Sequence, residues 1–597
     1  MGADIEASSE RQRRPSVLCG PTSSSSVTSA SPTLAGVLLH RLRVDTGVEA
    51  SVDVDDAERE ASAPWLTVYE GKNGIAWSPK EIFDLALRWA MALHERGVRP
   101  EDRVVIFLPN GSDFVGAFLG AQFLRATPVP IAWPFFFDNL EKKIADLRPL
   151  LDVATPAAVV TTDRAQAAGA WFPAVLTKPL EPSMATMPRP DVLADEAIAS
   201  SDGEAPAFIQ FTSGSTGSPR GAVISHRAAL ASTLAMGRGL NLTSEDVGVS
   251  WLPLFHDMGL VGALFTSLAY RFPLHLMTPS EFLLHPKRWL ELISHVGATI
   301  TVAPNFGYDT VTRRVRNLDG LDLSTLRVAL NGSEPVHRTT IDAFETRFAD
   351  AKLRRGTVLP VYGLAENTLG VAFPTPRAAS VHSVTAHSAT QDSTTEDSAT
   401  EDLVWGGRAV PSVGRPLVDT VVEVRSSNGR ICLEGEEGEI WVRSPSLLSG
   451  YYRDPLATSR VLVDGWLATG DLGVIANDQL YVTGREKELI IKGGQKFHPY
   501  EIENVVAEAI GVPLNQVAAV SIIQPDRGTE DLAIVIERRI ESQAEQEELQ
   551  KRTRGRLTES LAVRAEHILF VAAGSIPRTT SGKLRRRACA EKLKDLR

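Results

Sequence analysis

Amphipathic segments alternate with short apolar runs along most of the chain. The segment that begins Ser78-Pro79-Lys80-Glu81 combines an N-cap, a first-turn proline and a capping box, and apolar residues then recur at helical spacing up to Gly97. The continuous apolar run at 104–108 is typical of a strand buried on both faces. The same order, helix and then strand, returns at residues 288–303. This alternation predicts an α/β fold with largely parallel sheets.

The pattern changes in the last third of the chain. Residues 380–402 are polar and rich in Ser, Thr, Asp and Glu, so they cannot bury enough apolar surface to offset the entropy of ordering, and we predict a mobile, low-complexity insertion. Strand patterns separated by Gly-rich turns follow it. We therefore predict a disordered Ser-rich tail over residues 1–32 and a large N-terminal domain over 33–484, in which layered α/β subdomains precede a β-rich subdomain. A small α+β C-terminal domain is predicted over 485–597.

Composition narrows the class of protein. The 597 residues are 43% hydrophobic and 23% charged, which excludes wholesale disorder and collagen-like repeats. The three cysteines, Cys19, Cys432 and Cys589, are too few and too scattered for a disulfide framework, so a reducing compartment is expected. The sequence has no secretory signal and no apolar stretch of ~18 residues. We expect a cytoplasmic protein without stable membrane insertion.

The charge is unevenly distributed. A net charge of -11 argues against nucleic-acid binding. In contrast, residues 485–597 carry 20 Lys and Arg against 17 Asp and Glu, and the basic residues concentrate at the end of the chain. Two interpretations stay open: a solvated basic face, or a docking surface for an acidic partner.

A Ser/Thr/Gly loop is the first candidate for a binding site. It follows the apolar strand candidate at 207–211, and its glycines allow the backbone to approach a ligand while hydroxyls and amides surround phosphate oxygens. The Walker A pattern is absent, which excludes an ordinary P-loop NTPase. The candidate phosphate-binding residues of this loop are Thr212, Ser213, Gly214, Ser215, Thr216, Gly217 and Arg220.

Four further segments carry chemistry in a fixed order. His256-Asp257 lies between apolar residues, and 362–366 offers an aromatic face and a carboxylate. Asp471 and Arg485 offer a carboxylate for sugar hydroxyls and a cation, and 577–583 places a lysine on a Gly/Ser-rich turn. Each segment alone has an ordinary alternative, such as a capped turn, a core aromatic residue or a surface ion pair.

Taken together in this order, the motifs resemble those of the adenylate-forming superfamily, which contains acyl-CoA synthetases, peptide-synthetase adenylation domains and luciferases. The resemblance covers roughly residues 33–597. The chain most resembles the fatty acyl-AMP ligases, whose variants of the motifs are recognisable at 251–260, 303–309, 331–335 and 362–367.

The resemblance implies a two-step reaction. The carboxylate of a medium- or long-chain fatty acid attacks the α-phosphate of ATP, which gives an acyl-adenylate and pyrophosphate. The acyl group then passes to the phosphopantetheine thiol of an acyl carrier protein, which must be a separate chain because no carrier-type Asp-Ser site follows Lys583. Two alternatives stay open: a fatty acyl-CoA synthetase, and a non-catalytic acyl or adenylate sensor, against which the intact motifs argue.

The resemblance also implies roles for individual residues. Lys583, His256 and Glu366 are the expected catalytic residues; Lys583 bridges the carboxylate and the α-phosphate, and Glu366 holds Mg²⁺ with Thr216. Lys487 is the expected hinge of the C-terminal domain. Besides the phosphate loop, the expected ATP-binding residues are Asn331, Gly332, Ser333, Glu334, Tyr362, Gly363, Asp471 and Arg485. The expected acyl-pocket residues are His256, Asn305, Phe306 and Tyr308.

One residue departs from the family pattern. Arg220 stands in the phosphate loop where most relatives carry lysine. Its guanidinium keeps the positive charge but binds phosphate as a planar fork rather than as a point charge. We expect activity to survive this replacement.

Overall fold

A computed structural model of the chain describes residues 14–21, 33, 35–38, 63–135, 140–169, 174–181, 189–195, 198, 202–212, 219–376, 402–405, 408–492, 495–524, 529–578 and 584–594. The predicted insertion at 380–402 lies outside the described residues except for Asp402.

Two parallel sheets form the scaffold of the first part of the chain. The larger has seven described strands, which are in spatial order Val358–Pro360, Val328–Asn331, Ile300–Ala303, Gly248–Ser250, Leu274–Leu276, Leu66–Glu70 and Asn73–Trp77. Its neighbours run parallel except for the final hairpin. The smaller sheet has the parallel strands Thr127–Pro130, Arg103–Ile106, Ala158–Val160 and Val175–Leu176. The predicted α/β fold is confirmed.

Helices occupy the connections between these strands. They are Pro79–Glu95, Ser112–Phe123, Leu140–Ala145, Arg148–Ala154, Asp163–Ala167, His226–Gly239, the π-helix Met258–Phe265, Thr266–Tyr270, Pro279–Leu284, Lys287–Val296, Asn305–Arg314 and Arg338–Arg347. None of the helices in the described part of the chain is long and apolar enough to cross a lipid bilayer.

The helix Pro79–Glu95 begins at the predicted capping box. The backbone N–H of Ser78 donates to the carboxylate of Glu81 at 2.8 Å, and the N–H of Glu81 donates to the Ser78 hydroxyl at 3.3 Å. The helix packs on Ser112–Phe123. At Gly120 an added Cβ would lie 2.7 Å from the carbonyl oxygen of Ala86, so the close approach of the two helices requires glycine there.

Antiparallel sheets make up the predicted β-rich region. The largest contains the strands Val17–Cys19, Val421–Arg425, Gly438–Arg443, Trp466–Ala476, Leu462–Val463 and Gln479–Arg485. Two three-stranded sheets consist of Pro206–Thr212, Arg220–Ser225 and Gly450–Tyr451, and of Tyr362–Gly363, Gly370–Phe373 and Arg415–Pro416. A separate hairpin pairs Leu403–Trp405 with Arg408–Val410, and the helix Pro455–Val461 follows Gly450–Tyr451.

The prediction of a disordered tail over residues 1–32 is wrong for residues 14–21. Val17–Cys19 pairs antiparallel with Val421–Glu423 and forms the outer strand of the largest antiparallel sheet. Leu18 is 8% exposed and belongs to the main apolar core. The Ser-rich composition of the tail concealed this strand, because the backbone pairs that order it come from a distant part of the chain.

The C-terminal segment has apolar clusters of its own. Its strands are Ile490–Lys492, Gln495–Phe497, Val517–Gln524, Thr529–Glu537 and His567–Val571, and its helices are Pro499–Ile510, Gln543–Leu561 and Arg586–Lys594. Alternate residues of the central strands enter two clusters, one on each face of the sheet. The main cluster of the chain runs from Leu18 to Leu480. The domain boundary at 484/485 stays a prediction, which this separation of apolar clusters supports.

We predict that the strand Val17–Cys19 stabilises the fold through Leu18. Leu18→Ala should lower the free energy of unfolding by about 2 kcal/mol, because it removes an apolar side chain from the core. Cys19→Ala, one residue further on and exposed, is the matched control and should change it by less than about 0.5 kcal/mol. Equal effects of the two substitutions in urea titrations would contradict a structural role for this strand.

Candidate active site

Loops from four parallel strands meet at one edge of the seven-stranded sheet. The strands that end at Ser250, Ala303, Asn331 and Pro360 run parallel, so their carboxyl ends share this edge. The loops that follow carry His256, Asn305, Ser333 and Tyr362 in turn, and they line one continuous cleft of 2680 Å³. Motifs that lie far apart in the sequence are brought together by this topology.

Most of the described candidate residues line this cleft. They are Arg220, His256, Asn305, Phe306, Ser333, Glu334, Tyr362, Gly363, Glu366, Asp471, Arg485 and Lys487. Thr212 ends the strand Pro206–Thr212, and nothing is described of its side chain. The candidates Ser213, Gly214, Ser215, Thr216, Gly217 and Lys583 lie outside the described residues, so their roles stay predictions.

A buried carboxylate joins two sheets at one corner of the cleft. Asp471 and Arg485 are opposite each other in an antiparallel pair of strands, and Nε of Arg485 donates to Oδ1 of Asp471 at 2.6 Å. The hydroxyl of Tyr362 donates to Oδ2 of the same carboxylate at 2.7 Å. Burial, together with the negative charge of Asp471, raises the pKa of the Tyr362 hydroxyl well above its usual value, so it remains a donor.

A second carboxylate holds the backbone just before Asp471, within the strand Trp466–Ala476. Gly470 has φ +71, and its N–H donates to Oε1 of Glu439 at 3.0 Å. The indole N–H of Trp441 donates to the other oxygen of Glu439 at 3.0 Å. Burial raises the pKa of Glu439. No sequence motif marks Glu439, because its alignment with Gly470 depends on the pairing of two strands.

Tyr451 connects the expected metal ligand with the end of the phosphate loop. Its hydroxyl donates to Oε1 of Glu366 at 2.8 Å, and the guanidinium carbon of Arg220 lies 5.6 Å from the centre of its ring. Burial and the neighbouring carboxylate of Glu366 raise the pKa of Tyr451, so its hydroxyl stays protonated at neutral pH. Nε of Arg220 also lies 4.0 Å from a carboxylate oxygen of Asp454.

Tyr451 was also missed, since no local motif marks it. It reaches the site because the strand Gly450–Tyr451 pairs antiparallel with Arg220–Ser225, with Tyr451 opposite Ala222. This pairing places an aromatic ring beside Arg220, the residue that departs from the family pattern. A planar guanidinium can lie over an aromatic ring as well as carry charge.

His256 lies in the wall of the cleft beside its neighbour Asp257. Its Nδ1 is 2.6 Å from Oδ1 of Asp257, and Asp257 also accepts a hydrogen bond from the N–H of Met258 at 2.7 Å, where the π-helix begins. The N–H of Met258 also donates to Nδ1 of His256 at 3.4 Å, so the start of the π-helix holds both side chains of this pair.

An amide network fixes the start of the helix Asn305–Arg314. Its Oδ1 accepts from the side-chain amide of Asn331 and from the N–H of His337, both at 3.2 Å. The N–H of Phe306 donates to Oε1 of Glu334 at 2.6 Å. The structure therefore ties Asn305 and Phe306, expected in the acyl pocket, to Glu334, which is expected at the adenine.

Three candidates, Tyr308, Asn331 and Gly332, are not among the residues that line the cleft, so their contact with a ligand stays a prediction. Tyr308 is 0% exposed, and its hydroxyl donates to the carbonyl oxygen of Leu330 at 2.8 Å. Asn331 is also 0% exposed and is held by Asn305. At Gly332 an added Cβ would lie 2.8 Å from Cγ2 of Val361, so glycine is required there by backbone packing. The side chains of Tyr308 and Asn331 serve packing that sequence spacing alone does not reveal.

Aromatic residues form an apolar part of the cleft wall. The ring of Trp251 stacks on Phe282 with centroids 3.8 Å apart and planes 3° apart, and the ring of Phe306 meets Trp251 edge-on at 5.8 Å. Trp251 and Phe306 both line the cleft. Stacked and edge-on rings hold one another rigidly, so this wall is a fixed surface for an apolar group.

Comparison with known proteins identifies relatives over nearly the whole chain. The long-chain-fatty-acid–AMP ligase FadD26 of Mycobacterium marinum is 33% identical over 578 residues, which cover 90% of this chain and 95% of that protein. A solved structure from studies of fatty acyl-adenylate ligases of E. coli and L. pneumophila is 27% identical, has a TM-score of 0.76, and is matched over 95% of this chain and 98% of that one.

A second solved structure carries ligands. The fatty acyl-adenylate ligase of L. pneumophila, in complex with acyl adenylate and pyrophosphate, is 27% identical with a TM-score of 0.65, over 94% of this chain and 96% of that one. The family described as AMP-binding enzyme matches residues 55–452. The predicted membership of the adenylate-forming superfamily is confirmed: this chain belongs to the AMP-binding enzyme family.

Proposed function

We propose that this protein is a fatty acyl-AMP ligase. It activates a medium- or long-chain fatty acid with ATP, releases pyrophosphate, and transfers the acyl group to the phosphopantetheine thiol of a separate acyl carrier protein. The observation that carries the proposal is a single cleft that holds a carboxylate–arginine pair, a second carboxylate beside a loop cation, and an aromatic wall. The similarity to FadD26 and to a ligase bound to acyl adenylate and pyrophosphate supports it.

The corner around Asp471 suits the nucleoside of ATP. Both oxygens of Asp471 already accept one hydrogen bond, but an ionised carboxylate has further lone pairs for ribose hydroxyls. The ring of Tyr362, fixed by its hydroxyl, offers a face on which adenine stacks. Ser333, whose φ of +71 turns the backbone sharply, and Glu334 border the base. Arg485 supplies the cation of this corner.

Glu366 fits a Mg²⁺ site. Magnesium takes hard oxygen ligands and is held by one or two carboxylates together with substrate phosphates, so a dedicated cage is not needed. In the described residues no cluster of three or more His, Cys, Asp or Glu is suited to hold a metal ion. Glu366 and, from the phosphate loop, Thr216 would hold the ion, which would offset phosphate charge when bound.

The chain's own residues then supply binding, orientation and charge. Attack of a carboxylate on a phosphate brings two anions together, so cations must face both. Arg220 would face the phosphates, and Lys583 would bridge the fatty acid carboxylate and the α-phosphate. Trp251 and Phe306 would bind the acyl chain, with His256 between the chain and the phosphates.

Domain rotation would separate the two half-reactions. Lys487 lies in the exposed 3₁₀ turn Glu486–Glu488, directly after the strand that carries Arg485. Rotation there would bring Lys583 in for adenylation and withdraw it for thiol transfer, as in other hinged enzymes. Cysteine takes no part, because none of the three cysteines belongs to a motif of the site.

The proposal is tested by a pyrophosphate assay with ATP, Mg²⁺ and fatty acids of graded chain length. We expect pyrophosphate release that requires fatty acid, and acyl transfer to a holo-acyl carrier protein but not to coenzyme A. A robust acyl-CoA product would instead identify a fatty acyl-CoA synthetase. No release with any fatty acid would support a non-catalytic sensor.

Lys583→Ala should slow adenylate formation by about a hundredfold to a thousandfold, because a cation on the developing phosphate charge is lost. Transfer from supplied acyl-adenylate to the carrier should remain, since Lys583 acts only in the first half-reaction. Lys592→Ala, an exposed lysine of the terminal helix, is the control and should leave both rates unchanged. Equal loss of both half-reactions in Lys583→Ala would be evidence against this division.

Tyr451→Phe removes the hydrogen bond to Glu366 and keeps the aromatic ring beside Arg220. We expect adenylation at saturating substrate to slow by about tenfold, because a hydrogen bond to a charged group is lost and Glu366 is no longer held in place. Tyr452→Phe is the matched control, since its ring lies 5.2 Å from the guanidinium of Arg453. The role given to Tyr451 fails if the two variants show the same rate in the pyrophosphate assay.

A further inference from the structure

Arg586 occupies the centre of a buried ionic network in the C-terminal segment. Its Nε and Nη2 donate to the two oxygens of Glu503, both at 2.8 Å, and its Nη1 donates to Oε2 of Glu488 at 2.7 Å. Its side chain is 15% exposed, and that of Glu503 is 2% exposed. A guanidinium pairs with two carboxylates at once because its donors form a planar fork, which lysine cannot reproduce.

The three members come from three separate elements. Glu503 lies in the helix Pro499–Ile510 and also accepts from the N–H of Ala519 at 2.9 Å, which ties it to the central sheet. Glu488 closes the 3₁₀ turn that contains Lys487. Arg586 begins the terminal helix, three residues after Lys583 in the sequence. The network therefore joins the turn of the expected hinge to the segment that follows the expected catalytic lysine.

Backbone contacts join residues 577–578 to residues 584–585, which flank the segment that carries Lys583. Arg578 and Leu584 form an antiparallel bridge, and the N–H of Arg585 donates to the carbonyl oxygen of Pro577 at 2.8 Å. Arg578 also pairs at 3.3 Å with the buried carboxylate of Glu537. Residues 577–578 and 584–586 thus form a fixed base, and Arg586 attaches this base to the hinge turn.

We infer that Arg586 is a positioning residue for Lys583. Through Glu488 and Glu503 it makes the hinge turn, the helix Pro499–Ile510 and residues 577–578 and 584–586 one rigid unit, which rotation at Lys487 would move as a whole. This inference rests on the proposed function. Placement matters because a shift of about 1 Å at a reacting group costs on the order of a hundredfold in rate.

The sharpest test removes the contact between Arg586 and Glu488, which lies in the hinge turn. Glu488 is 36% exposed, so Glu488→Ala breaks the contact to the hinge turn and leaves the buried pair of Arg586 with Glu503 intact. We expect adenylation to slow by about tenfold through misplacement of Lys583. Transfer from supplied acyl-adenylate to a holo-acyl carrier protein should stay within about twofold, because Lys583 is withdrawn in that step.

Two further variants complete the rate measurements. Arg586→Lys keeps the charge but cannot bind both carboxylates together, so it should show the same selective loss of adenylation. Glu559→Ala is the matched control, since Glu559 pairs with Arg556 at 3.3 Å on the exposed face of another helix, and it should leave both rates unchanged. Equal slowing of both half-reactions, or unchanged adenylation in Glu488→Ala, would overturn the inference.

A readout without catalysis separates this inference from the proposed function. In hydrogen–deuterium exchange of the full chain, Glu488→Ala should speed exchange of the Arg585 amide by about tenfold, because the base of the segment opens more often. Unchanged exchange would overturn the rigid unit. If the wild-type protein releases no pyrophosphate with any fatty acid, the proposed function fails, and the exchange result alone then decides for or against the rigid unit.

Discussion

Asp471 carries its charge at a position where only 6% of its side chain is exposed, and the cleft is assembled around that constraint. A buried carboxylate is costly unless charges and hydrogen bonds compensate it. Here Arg485 approaches from the neighbouring antiparallel strand and Tyr362 from another sheet. The strands around Asp471 cannot change register without leaving this charge uncompensated. The hydrogen bond from Tyr362 therefore joins the largest antiparallel sheet to the strand Tyr362–Gly363, which directly follows the last strand of the parallel sheet.

The two kinds of sheet contribute different parts of the cleft. The parallel sheet supplies loops, since its strands all end at one edge, and these loops bring His256, Asn305 and Ser333 together. The antiparallel strands supply direct cross-strand contacts, which place Arg485 opposite Asp471 and Tyr451 beside Arg220. The parallel topology thus brings the cleft-lining segments to one edge of the sheet. The register of the antiparallel strands determines which charged side chains are in contact.

Much of the fold follows from local pattern. The capping box before the helix Pro79–Glu95 and the buried strand Arg103–Ile106 were predicted from a few residues each, because capping and continuous apolarity act over short distances. Most of the described candidates that the motifs indicated line the cleft, but no motif indicated Tyr451 or Arg586. These two act through partners some eighty to a hundred positions away, and no short-range signal records such pairing.

The differences between sequence pattern and structure share one physical origin. Tyr308 and Asn331 belong to motifs that line the cleft in part, yet alternate residues of such segments turn inward and pack. A motif identifies the segment near a ligand, while the pleat or helical turn decides which side chains face it. The opposite error occurred at Val17–Cys19, where a polar tail contains a strand whose partner lies far along the chain.

That strand constrains the order of folding. Val17–Cys19 is synthesised before Val421–Glu423, with which it pairs, and roughly four hundred residues separate the two. At typical rates of synthesis this delay is about 20 to 80 seconds. Throughout this time the first residues of the chain must wait outside their sheet while the parallel sheets form. The antiparallel sheet is therefore completed late, because Val17–Cys19 cannot pair until residues 421–423 have been synthesised.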